Sequence, residues 1–180
     1  MEICDWQVAA TGILNRIKEG IQDLFSNLEQ PDVIASETLE DILERAISLE
    51  EEITFFGMSS EYELFEQNIH EIAYFLAFCR YIKSRAEELY CSLDSPKVFL
   101  FTLFRLLFGW VKDGIEYETL RNDMYECVEE VKGFYKLLKR EERRMVRDRL
   151  KEEKKEIKKI WKEAIIELRK EAKERRLLVY

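Results

Sequence analysis

The chain has 180 residues, 47% apolar and 37% charged, with a formal net charge of -8. That length suits one domain with an appendage better than two full domains, because domains of about 100 to 150 residues are commonest. Two prolines and six glycines supply too little turn chemistry for a many-stranded sheet, so an all-α fold is expected: an irregular five-helix bundle followed by a long C-terminal helix.

Asp5 is placed to cap a first helix running to about Leu28, with Trp6, Ala10, Ile13, Ile17, Ile21, Leu24 and Leu28 at three- and four-residue spacing. Gly12 and Gly20 weaken it or allow close helix contact. Pro31 and Asp32 interrupt the pattern, and Ser36 is read as the cap of a second helix with the stripe Leu39, Leu43, Ala46, Leu49 and Ile53, stopped by Gly57. Ser60 and Glu63 have capping-box spacing, in which the hydroxyl accepts from an early backbone N–H and the carboxylate reaches back. They open a third helix of about 30 residues without internal Gly or Pro, whose apolar face includes Phe65, Ile69, Ile72, Leu76, Cys79, Ala86, Tyr90 and Leu93.

Asp94-Ser95-Pro96 ends that helix and starts a fourth, since proline is well tolerated at the first helical position. The fourth contains VFLFTLFRLLFGWV, residues 98 to 111. A membrane span needs about 20 such residues, so the run is expected to be a central helix buried on all sides, with a partner for Arg105. Tyr117, Leu120, Met124, Val128, Val131 and Tyr135 define a fifth helix, with a bend expected near Gly133, and no proline or glycine follows from Phe134 onward.

Charge divides the chain there. Residues 1–134 form an acidic helical-bundle domain with 11 Lys or Arg against 27 Asp or Glu, a net of -16. Residues 135–180 form a basic C-terminal helix with 18 against 10, a net of +8. Within KREERRMVRDRLKEEKKEIKKIWK (139–162), Arg140, Arg144, Arg147, Lys151, Lys154, Lys158 and Lys162 recur every three or four residues. On a helix they fall in an arc of about 80° and make a ridge some 33 Å long, which Arg169, Lys173 and Arg176 extend. Beside the ridge runs an apolar seam of Val146, Leu150, Ile157, Trp161, Ala164 and Leu168, broken at KEEKKE; Glu152, Glu156, Glu163 and Glu167 take the far face.

Motifs for chemistry are missing. His70 is the sole histidine and reads as a core or surface residue, since di-iron bundles need repeated Glu-x-x-His pairs. Cys4, Cys79, Cys91 and Cys127 make no Cys-x-x-Cys pair and read as small buried hydrophobes in a reduced compartment. The N-terminus lacks a basic leader ahead of an apolar block, and a cytoplasmic protein is expected. No P-loop, nucleophile elbow or dinucleotide fingerprint occurs, so no catalytic residue, metal, cofactor or small-molecule substrate is expected. Asn and Gln are scarce beside Glu, Lys and Arg, a heat-adapted balance.

The segment FEQNIHEIAYFLAFCRYIKSRAEELY, residues 65–90, resembles the long central helix of the helical domain in GINS-type DNA-replication subunits, where an apolar face ends in a run of Arg and Lys. That family also carries a small β-domain, and residues 135–180 have no strand pattern, so no site residue is transferred.

The expected function is association without catalysis. The leading expectation is a helical interaction or scaffold protein that forms a homo-oligomer or docks on a partner protein through its C-terminal seam, with Trp161 as anchor by residue type. The alternative is a sequence-independent nucleic-acid-binding subunit of a DNA or RNA processing or replication complex, with the seven ridge cations on phosphates. The interspersed glutamates disfavour a membrane surface.

Overall fold

The computed structural model describes residues 4–26, 31–91 and 121–179. They form six helices: α1 (Asp5–Ser26), α2 (Pro31–Ser59), α3 (Tyr62–Ser84), α4 (Ala86–Cys91), α5 (Arg121–Leu137) and α6 (Arg140–Val179). No strand occurs among the described residues, and the all-α class is as the sequence indicates. The Ser95-Pro96 helix start and the apolar run 98–111 with Arg105 lie outside the described residues. So do the side chains of Met124, Cys127, Val128, Val131 and Arg176.

Polar cross-links fix how the helices run. Arg16 pairs with Asp41 at 2.6 Å between α1 and α2, and Lys83 with Glu50 at 2.7 Å between α3 and α2. On the other side of α1, Thr11 donates to Asp123 at 3.2 Å and Lys18 pairs with Glu126 at 2.6 Å. With Gly20 against Thr38 and Gly57 against Phe65 as second points, the pairings make α1, α2 and α3 successively antiparallel and set α5 parallel to α1. Helix α6 lies on the remaining side of α3 and runs against it: Arg175 covers Phe65, Trp161 meets Tyr74, and Glu153 faces Arg85.

Most of the stripes predicted for the first three helices are the core; Leu43 and Ala86 are half-buried, and past the break at Arg85 Tyr90 is 46% exposed while Leu89 is buried in its place. Trp6, Ala10, Ile13 and Ile17 of α1 and Leu39, Ala46, Leu49 and Ile53 of α2 are buried. In α3 every residue from Ile72 to Cys79 is buried, so among the described residues α3 is the central helix. Trp6 sits between Phe56 and Phe75, with ring centroids 6.2 Å from each. Full burial of such a side chain is worth about 1.5–3 kcal/mol, and the closed face of α3 makes it the platform for everything packed around it.

Several helix boundaries differ from expectation. Cys4, not Asp5, precedes the first turn, and its N–H donates to Gln7 Oε1 at 3.0 Å, the return half of a capping box. Helix α2 begins at Pro31, whose fixed φ suits a first helical turn, leaving Ser36 inside the helix. Gly57 does not stop α2. It is buried within the helix, where an added Cβ would stand 3.0 Å from the Phe65 ring. Gly20 plays a matching part between α1 and α2, where a Cβ would collide with Thr38 Cγ2. Ser60 still donates its N–H to the Phe56 carbonyl at 2.9 Å, so Glu61 takes the cap position of α3 with no side-chain cap bond.

The third helix breaks at Arg85 (φ -100°, ψ 2°), and α5 runs through Gly133 to end at Leu137. Cys79 is buried as expected, whereas Cys4 is half-buried and Cys91 is exposed near the end of α4.

Candidate functional site

Forty residues without glycine or proline make α6 a helix about 60 Å long. Its start is held by side chains. Lys139 N–H donates to Glu142 at 3.4 Å, and Arg143 reaches back to the Lys136 carbonyl at 2.9 Å while lying over the Tyr135 ring. Glu141 and Glu142 put negative charge in the first turn, where the helix dipole favours it.

The seam is covered by the chain's own body. Val146, Leu150, Ile157, Ala164 and Leu168 are buried in the same core cluster as α3, together with Ala172. Trp161 is half-buried, its ring edge-on to Tyr74 at 5.4 Å and its Nε1–H donated to the His70 carbonyl at 3.3 Å. A partner binding these side chains would have to displace the chain's own core packing.

The KEEKKE stretch that breaks the seam in sequence is a polar contact within it. Glu153 is 7% exposed and stands 3.4 Å from Arg85, whose guanidinium also lies over the Tyr81 ring at 5.3 Å. Burial pushes the Glu153 carboxyl above the usual carboxylate range, and Glu156 adds to the shift. On the acidic flank of the seam Glu167 accepts two bonds from Arg80, at 2.6 and 2.9 Å, and this arginine holds its carboxyl below the usual range. Two arginines of the α3 region thus fix the register of α6. Their sequence signal was a carboxylate at each matching point of the helical period, Glu153 inside the seam and Glu167 beside it.

The ridge occupies the other flank. Arg140, Arg144, Arg147, Lys151, Lys158 and Lys162 are exposed and Lys154 is half-buried. Among the described residues none of the seven forms an ion pair within 4 Å. Arg169 continues the row and brings Nη2 within 3.5 Å of His70 Nε2 on α3. The flank therefore presents cations from Arg140 to Arg169 on one continuous helix.

Other features of the described residues offer less chemistry. Burial drives the Cys79 thiol far up, which makes it a small hydrophobe and not a nucleophile. No cluster of three or more His, Cys, Asp or Glu residues suited to a metal ion occurs among the described residues. No helix among them is long and apolar enough to cross a membrane. A cleft of about 400 Å³ between α2, α3 and α6 has an apolar floor that includes Phe65 and Leu76, with the Arg80–Glu167 pair at its rim.

Comparison with family models, curated proteins and solved structures finds no match to this chain.

Proposed function

We propose that this chain is a helical binding protein, not an enzyme, and that the basic ridge of α6 binds the phosphates of nucleic acid without reading sequence. The observation that carries this reading is the unpaired ridge. A chain with 37 carboxylates leaves seven regularly spaced cations without an ion-pair partner among the described residues. A row of Lys and Arg about 33 Å long neutralises phosphates and releases their counterions, and this term does not depend on base identity. The continuous helix holds the spacing, and the packing of α6 on α3 turns the row outward. Docking through the apolar seam is less favoured, because those side chains are already buried in the chain's own core.

Retention of labelled mixed-sequence DNA or RNA tests the reading. The intact chain is expected to retain either at low salt, and a variant carrying Arg144→Gln, Arg147→Gln, Lys151→Gln and Lys158→Gln is expected to lose most of that retention. A folded chain that retains neither would overturn it.

A further inference from the structure

Resting on that phosphate-binding reading, we infer that the ridge selects duplex over single-stranded nucleic acid. Proteins that hold single strands combine a basic groove with aromatic side chains on which bases stack, each stacked base being worth about 1–3 kcal/mol. Helix α6 has one aromatic side chain, Trp161, and it is committed elsewhere. Its ring stands edge-on against Tyr74 at interplanar angle 82°, and its indole N–H is spent on the His70 carbonyl. To stack on a base, Trp161 would have to give up both contacts and leave the seam.

Without stacking, the phosphates decide. Duplex DNA carries one charge per about 1.7 Å of axis, and its counterion release is about 0.9 per phosphate contacted against about 0.7 for a single strand. Over seven contacts the difference is about 1.4 powers of salt concentration, which from equal affinities at 1 M salt grows to roughly a 25-fold preference for duplex at 0.1 M. Shape points the same way. The ridge is a straight row about 33 Å long, close to the roughly 34–36 Å of one duplex turn, and α3 holds it against bending around a flexible strand.

The test is a competition between a mixed-sequence duplex of about three helical turns and its separated strands, run with the intact chain and with Trp161→Leu, which removes the ring and keeps an apolar side chain. Duplex is expected to bind at least about 10-fold tighter at 0.1 M salt, with Trp161→Leu, checked as folded by circular dichroism, leaving both affinities within about twofold. Equal or tighter binding of the single strands, or a single-strand affinity that falls several-fold in Trp161→Leu, would overturn the inference and leave phosphate binding standing. Binding of neither form would overturn the phosphate reading itself.

Discussion

The seam and the ridge run side by side along α6, yet among the described residues only one of them is satisfied. The seam is closed by the chain's own core: Val146 and Ala164 are fully buried, Ile157 is 2% exposed, and its one carboxylate faces Arg85. Among the described residues the seven ridge cations form no ion pair with a carboxylate. Apolar surface must be covered for the helix to stay folded on the body, whereas a lysine or arginine in water is already solvated and gains little from an exposed partner. The seam therefore reports on stability and the ridge on what the molecule meets.

That contrast can be broken by substitution. The largest effect on folding is expected in the seam, where Ile157→Ala removes buried methyl groups and leaves a cavity. It should cost about 2–5 kcal/mol and lower Tm by roughly 5–15 °C in a thermal melt followed by circular dichroism. A shift of a degree or less would mean that α6 is not packed on α3.

Glu153 should show the next effect, through pH. Its carboxyl is held above the ordinary value, so the fold binds that proton more tightly than the unfolded chain does. The resulting stability is present below the unfolded carboxylate pKa and is lost as pH rises through the folded one. Glu153→Gln should then be more stable than the parent at pH 7, with the advantage shrinking as pH falls toward 4. An advantage that grows on acidification would contradict this.

Arg80 and Glu167 behave in the opposite sense. Glu167 is held below the ordinary value, so its contribution is present above the unfolded carboxylate pKa and fades as pH falls through the folded one. The pair is 36% and 46% exposed, and Glu167→Gln should cost about 1 kcal/mol or less at pH 7 in urea unfolding. The four ridge substitutions to Gln should change stability least, by no more than about 0.5 kcal/mol.

Local patterns carried the three faces of α6 into the sequence reading, because exposed charges and the period of 3.6 residues need no partner to be seen. What covers the seam is not local. It depends on α3, and only the fold brings Arg85 opposite Glu153 and Tyr74 opposite Trp161. The same limit explains the boundaries. Gly57 reads as a stop until Phe65 is found against it, and no glycine or proline announces the break at Arg85. The ridge is visible residue by residue; that it finds no ion pair among the described residues is not, because 37 carboxylates stand ready in the sequence.

The salt dependence of duplex binding tests the central claim most directly. With all seven cations on phosphates, log K against log salt should fall with a slope of about -6, and the variant with four ridge residues changed to Gln should fall with a slope of about -3. A slope near zero, or one that the four substitutions leave unchanged, would contradict the assignment of the ridge to phosphates.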